Sequence, residues 1–451
     1  MKNSEKVWEE TPEVATPLYK IDEKPPHLFE SILYGWQHTL VDISPFILPI
    51  AVAEAIGMET GQGRFVNFCL FAMGIATLIQ TTFGNKLPIV QGPSATHTTV
   101  LKSVGALCGA ATMWLAILIG SLFEMLVGAL GILRYLRKLF PIAVSGCVVT
   151  CIGISLGQVA MGWTFGQGEL QNFIYASLTI ASILLLQMFG KNVWGGLLSR
   201  SAIFISIWLV GIGIASFFGH VKWLLVAQKS WFDFPEFLPY SLSGIQSGDL
   251  LFAAILGVIV GYIGSILESI GDYAATCAAC GETYTVEHMN KGITAEGFSC
   301  MISTLIGAMP CTSYSQNIGI ITTTRIASRF VVQIAAVILI LYGLCPKFGA
   351  LLEAMPRSVL GAVFVIVCGM ISVSGIRLLA AAKNTNENSL LIGLTLICAL
   401  AIPHVVKAKA QKLLLPAPVE LFLTNSVVIA VIVGVLLNVF LNKTLPPQKN
   451  T

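Results

Sequence analysis

Apolar runs of roughly membrane-spanning length alternate with short polar breaks along almost the whole chain. They fall at 29–56, 62–83, 87–108, 111–133, 140–162, 171–189, 200–218, 249–278, 291–309, 311–325, 326–345, 355–374, 388–405 and 420–441. This pattern predicts an all-α polytopic membrane protein of about fourteen transmembrane segments. Two segments break the pattern. The third opens LPIVQGPSATHTTVLKSVG and carries Pro88, Pro93, His97 and Lys102. The tenth lies in Pro310–Arg325, PCTSYSQNIGIITTTR, which is dense in hydroxyl and amide side chains. Polar backbone at membrane depth is tolerated only when it is buried in protein or lines a cavity. Pro310 cannot donate an amide hydrogen bond, and Gly319 leaves room for close approach of a backbone or a ligand. Both segments read as broken helices, a short strand plus a half-helix, with the half-helix end near Gln316 and Asn317 facing a small polar solute.

Internal similarity suggests two inverted seven-segment repeats. Pro88 with Ser94 corresponds to Pro310 with Gln316, and Pro141 with Gly146 corresponds to Pro356 with Gly361. An odd number of spans per repeat requires opposite topology for the two halves.

Composition agrees with a membrane class. Of 451 residues, 55% are apolar and 11% charged, with a mean hydropathy of +0.81, where soluble domains carry roughly 25% charge. The net charge of +3, without basic patches, argues against a nucleic-acid partner. Most of the eleven cysteines lie in apolar runs, among them Cys69, Cys147, Cys151, Cys300, Cys368 and Cys398, and read as small buried residues. Cys277 and Cys280 have metal-like spacing but no second pair, so helix packing is expected and no metal. The polar, acidic first 26 residues show no signal-peptide pattern. A cytoplasmic N-terminus places Arg134, Arg137, Lys138, Lys191, Arg200, Arg325, Arg329, Arg377 and Lys383 inside, whereas Lys407, Lys409 and Lys412 break the rule. The aromatic segment 222–248 is expected to be an interfacial loop.

Ionisable side chains inside spans are functional candidates by default. They are His38, Asp42, His97, Lys102, Glu124, Glu268, Asp272 and Glu296, with Glu54 at a membrane boundary. Glu268 and Asp272 are four apart and share a helix face. Their repulsion suits a proton carrier or a ligand acceptor, against a purely structural pair held by donors or a cation. His38 and His97 read equally well as satisfied core residues, and Glu296 as a helix-start carboxylate. Glu124 is expected to pack. Gln316 offers both a donor and an acceptor, which matches a nucleobase edge; the competing reading is polar helix–helix glue.

Gln316-Asn317-Ile318-Gly319 followed by Thr324-Arg325 resembles the signature of the nucleobase–ascorbate transporter family (xanthine/uracil permease type). Gly35-Trp36-Gln37-His38, Glu268-Ser269-Ile270-Gly271-Asp272, Ala295-Glu296-Gly297 and Leu87-Pro88-Ile89-Val90-Gln91-Gly92 resemble its other motifs, so the likeness runs from about 25 to 440. The resemblance implies a cytoplasmic tail (1–28), a core domain (29–135 and 249–348), a gate domain (136–248 and 349–442), a C-terminal tail (443–451) and a homodimer. It implies that Glu268 and Gln316 bind the base edge, with Asn317 supporting them. Ser94, Ala95 and His97, at the segment 3 half-helix end, would also bind the substrate. His38, Asp272 and Glu296 would serve proton coupling or positioning. Gln at position 316 resembles xanthine and uric acid carriers. Ala95-Thr96-His97 stands where relatives commonly place Phe-Ala-Phe, so an aromatic for stacking must come from elsewhere, His97 being one candidate.

The expectation is a proton-coupled nucleobase symporter of the cytoplasmic membrane, purine-selective and without a cofactor. Alternatives are sodium coupling, a uracil or ascorbate carrier of the same fold, and a channel or uncoupled facilitator. An intramembrane enzyme built on Glu268, Asp272 and His38 lacks a nucleophile motif.

Overall fold

A computed structural model describes residues 17–41, 44–58, 62–133, 139–166, 168–191, 193, 197–239, 243–409 and 414–444. Asp42, Arg134, Arg137, Lys138 and Lys412 lie outside these residues. The chain is predominantly helical. In order, the main elements are α1 (Leu28–Val41), α2 (Ser44–Ala55), α3 (Gln62–Thr82), β1 (Gln91–Pro93), α4 (Ala95–Cys108), α5 (Ala110–Ala129), α6 (Ile142–Phe165), α7 (Leu170–Phe189) and α8 (Ala202–Phe217). There follow α9 (Asp249–Cys280), α10 (Val286–Leu305), β2 (Cys311–Ser313), α11 (Gln316–Thr324), α12 (Arg329–Gly343), α13 (Pro346–Ala354), α14 (Arg357–Ala381), α15 (Asn386–Ala408), α16 (Ala417–Leu423) and α17 (Ser426–Thr444).

Among the described residues, seven helices are long and apolar enough to span a membrane, or nine if each bent pair counts as one span. The expected fourteen segments therefore do not appear as fourteen straight helices. The first is divided into α1 and α2, and the seventh contains a π-helical stretch, Ile207–Ile214. The eleventh is followed by a 73° bend between α12 and α13, and the last contains a 79° bend between α16 and α17. The ninth begins earlier than expected, at Thr285, whose hydroxyl caps the His288 amide.

The third and tenth segments are each a three-residue strand followed by a half-helix. The strands pair antiparallel, with Gln91 opposite Ser313, Gly92 opposite Thr312 and Pro93 opposite Cys311. Helix α4 then starts at the N-cap Ser94, whose hydroxyl accepts from His97 N. The ladder extends by one bond at each end, Ser94 N to Pro310 O at 3.0 Å and Tyr314 N to Val90 O at 3.0 Å.

Neighbouring side chains supply further partners to this irregular backbone. Thr77 Oγ1 on α3 accepts from Gln91 N at 3.0 Å. Cys300 Sγ on α10 donates to Cys311 O at 3.1 Å, and Cys69 Sγ accepts from Met309 N at 3.4 Å. Those two cysteines, read from sequence as apolar filler, also act as hydrogen-bonding partners here. Thiols do this weakly, but at this depth water is absent.

Helix seams rest on glycine. Helices α6 and α14 cross antiparallel, since a Cβ on Gly146 would meet Leu379 and one on Gly361 would meet Thr164 N at 2.5 Å. Gly297 on α10 faces the backbone of Met125 and Ser121 on α5 with no room for a methyl group. Gly319 behaves otherwise. It is exposed, with open space around a built Cβ, so the close approach expected there is not observed.

Gly297→Ala should destabilise the protein by about 1–3 kcal/mol, because backbone must move to admit the methyl group. Gly393→Ala, in open space on α15, should be neutral or slightly stabilising. Thermal unfolding of both variants in detergent checks the contrast.

Candidate functional site

The β1–β2 ladder aims the starts of α4 and α11 at a cavity of about 490 Å³, within the usual range for small-molecule sites. Ala95 lies on its wall at the α4 start, with Ser315 and Gln316 at the α11 start. Helix N-termini carry partial positive charge and attract electronegative atoms of a ligand. Ser94 caps α4 with its side chain, whereas Ser315 makes no side-chain cap on α11.

Helix α9 supplies the acidic wall. Glu268, Gly271 and Asp272 all line the cavity. Thr96 on α4 donates to Glu268 Oε2 at 3.0 Å. Ser313 on β2 donates to Asp272 Oδ2 at 2.8 Å. Each carboxylate is thus held by a different half of the broken-helix pair. The opposite wall is largely apolar, formed by Phe140, Ile142 and Val149 with Ile371 and Leu378.

Behind the acidic wall of α9 lies a fully buried network centred on Glu296. Its oxygens accept from Ser269 Oγ at 2.7 and 2.8 Å, from Ser265 Oγ at 3.3 Å and from Tyr273 OH at 2.6 Å. Gln80 Nε2 donates to Tyr273 OH at 2.8 Å. Ser269 also meets Ser313 Oγ and Thr312 Oγ1, each at 3.0 Å, so the network reaches the Asp272 donor. A buried carboxylate needs several donors, and α9 provides three of them on one face. Glu296 is therefore a neighbour of the cavity, not a helix-start cap.

The other expected site residues sit around the cavity without lining it. His38 and Asn317 are both buried, and Asn317 Nδ2 donates to His38 Nδ1 at 3.1 Å. Asn317 therefore braces α11 against α1. His97 is fully buried and packs edge-on to Tyr262, with ring centroids 4.2 Å apart. His97 does not supply a ring to the cavity; among the described residues the rings that line it are Phe140 and Tyr314. Tyr314 OH donates to Pro93 O at 2.9 Å, which pins that ring to β1. Thr324 and Arg325, at the far end of α11, are remote from the cavity, and Arg325 has φ of 59°. Sequence reasoning assigned no role to Thr96, Ser269, Tyr273 or Ser313. The spacing of Ser265, Ser269, Asp272 and Tyr273 places these polar groups along one side of α9, a signal that was present.

The cavity runs from Gln316 toward the start of α6 and the ends of α9 and α14, past Phe140, Ala275 and Leu378. The opposite end is tied shut. Trp163 Nε1 donates to Glu54 Oε2 at 2.7 Å, Arg357 donates to Gln62 Oε1, and Gly63 N donates to Glu353 Oε2 at 2.9 Å.

Comparison with known proteins gives the family. A model described as Permease family, of the xanthine/uracil permease type, matches residues 29–408. The chain belongs to the nucleobase–ascorbate transporter family. This permease is a multi-pass membrane transport protein, not an enzyme. It is 32% identical to the uric acid permease PucK of Bacillus subtilis, over 80% of this chain and 84% of the relative. It is 29% identical to the xanthine permease of the same organism, over 92% and 94%. The fold is similar to the transmembrane domain of the cyanobacterial bicarbonate transporter BicA, with a TM-score of 0.60 at 15% identity, covering 93% of this permease and 99% of that chain.

Tyr273→Phe removes a donor from Glu296 and leaves the Gln80 amide without its partner. It should cost about 1–3 kcal/mol, measured as a lower unfolding temperature in detergent, with Glu268→Gln as a comparison variant outside this network.

Proposed function

We propose that this permease is a secondary active transporter that carries a purine-type nucleobase, xanthine or uric acid first, in symport with a proton. The observation that carries this reading is a cavity in which Glu268, Asp272 and Gln316 meet the starts of two half-helices. Glu268 accepts ring N–H donors, and the Gln316 amide pairs with a neighbouring acceptor–donor edge. The helix starts at Ala95 and Gln316 attract exocyclic oxygens. The named xanthine and uric acid permeases among the relatives support the purine reading.

Coupling follows from charge. Glu268 and Asp272 lie one turn apart on the cavity side of α9, and a proton bound between them relieves their repulsion. Proton uptake then favours closure around the base, and release to the other side resets the carrier. The chain is built as two inverted repeats, with a core domain (29–135 and 249–348) moving against a gate domain (136–248 and 349–442) in a homodimer. The antiparallel β1–β2 and α6–α14 pairs support the repeat, because each brings together repeat-related segments. Leu378 lines the cavity at the end of α14 that carries Arg377, and that end is taken as cytoplasmic under the positive-inside rule. The sealed end at Trp163 and Arg357 speaks against an open channel.

Uptake of radiolabelled xanthine, urate, uracil and ascorbate in transporter-deficient cells tests this, with and without a protonophore. Purine uptake should be protonophore-sensitive. Glu268→Gln should lower it at least about tenfold, as expected when a charged hydrogen-bond acceptor is lost. Uracil or ascorbate uptake in place of purine would overturn the role of Gln316. Uptake indifferent to the protonophore but dependent on sodium would overturn proton coupling.

A further inference from the structure

Helix α11 carries Gln316, yet it has only nine residues. Isolated helices shorter than about 12–15 residues are marginal, so its position must be imposed from outside. Its start is held by the β1–β2 ladder. Its far end is held by the segment 18–24, which runs along the α11–α12 connection. Leu18 N donates to Arg325 O at 2.6 Å, and Ala327 N donates to Tyr19 O at 2.9 Å, forming a parallel bridge between Tyr19 and Ile326. Arg329 N donates to Ile21 O at 2.9 Å, and the Arg329 guanidinium pairs with Asp22 at 2.8 Å. Lys24 Nζ sits 4.5 Å from the Phe330 ring centroid. Ile21 packs against Cys280, Ile321 and Ala327, and so ties the end of α11 to the end of α9. The left-handed Arg325 turns its carbonyl out of α11 and into this contact, which gives the last residue of the signature a structural role remote from the cavity.

We propose that residues 18–24 are a positioning strap, which sets Gln316 on α11 against Glu268 on α9 and thereby tunes ligand affinity from outside the cavity. This rests on Gln316 and Glu268 being the ligand contacts. Affinity that requires two elements in register falls when either is loosened. The strap contributes no atom to the cavity, so its loss acts on binding geometry and not on ligand chemistry.

Two variants and two readouts test the strap. Leu18→Pro removes the shorter of two backbone donors to Arg325 O, the other being Tyr19 N at 3.5 Å, and Asp22→Arg opposes Arg329. Each should raise the KM for xanthine at least about threefold, in line with the modest strength of an exposed ion pair or one backbone bond, while the maximal rate per transporter at the surface changes less. Each should also speed amide deuterium exchange in 316–324 of the full-length protein without ligand. Asp22→Arg with Arg329→Asp should restore both. Unchanged exchange in 316–324 in both variants, or a loss of maximal rate with KM fixed, overturns the strap. Should Leu18→Pro fail to reach the membrane, the charge-reversal pair alone decides. Wild-type protein that takes up no nucleobase overturns the ligand reading, while the exchange measurement still decides the strap.

Discussion

Three residue pairs of antiparallel backbone, buried in an apolar helical protein, are the constraint on which the rest depends. Each strand amide or carbonyl without a partner would cost several kcal/mol in a medium free of water. Gln91–Pro93 and Cys311–Ser313 satisfy one another, and Thr77, Cys69 and Cys300 satisfy groups around them. Pro93 and Pro310 bring no amide hydrogen that would need a partner. Pairing two short strands makes it tolerable to interrupt two helices at depth. Interrupting them exposes the helix starts that a small polar solute can use.

Once the strands pair, the site follows. Ala95 and Gln316 are brought to one cavity because each begins the half-helix after its strand. Helix α9 lies across both, so Thr96 reaches Glu268 and Ser313 reaches Asp272. The same α9 face sends Ser265, Ser269 and Tyr273 to Glu296. A change in the protonation or position of one carboxylate therefore bears on donors shared with the ladder itself. The apolar wall formed by Phe140, Ile142 and Ile371 comes from α6, the residues just before it, and α14, and meets the site from the opposite side.

Much of the fold was legible because the signals were chemical and local. Prolines and hydroxyls in segments 3 and 10 could not form ordinary lipid-facing helix, so the interruptions were readable. The i, i+4 spacing of Glu268 and Asp272 put both on one face, and both line the cavity. What failed did so for identifiable reasons. His97 looked available because it follows the break, but α9 brings Tyr262 against it. Gly319 reads as a point of close approach for a backbone or a ligand, yet it lies in open space, and close glycine contacts fall elsewhere, at Gly297 and Gly361 among others. Hydropathy marks apolar spans and does not report the bends after Gly343 and Leu423.

The order of residues alone specifies the membrane class, the two interrupted segments, the acidic pair on α9 and the family signature. These depend on residue type and short-range spacing, which survive without knowledge of neighbours. Packing brings Asn317 to His38, Thr96 and Ser313 to the two carboxylates, Glu296 behind the cavity, and residues 18–22 to the chain that follows α11. Those contacts join positions tens to hundreds of residues apart. Their geometry is set by how strands and helices pack, and no local pattern encodes it.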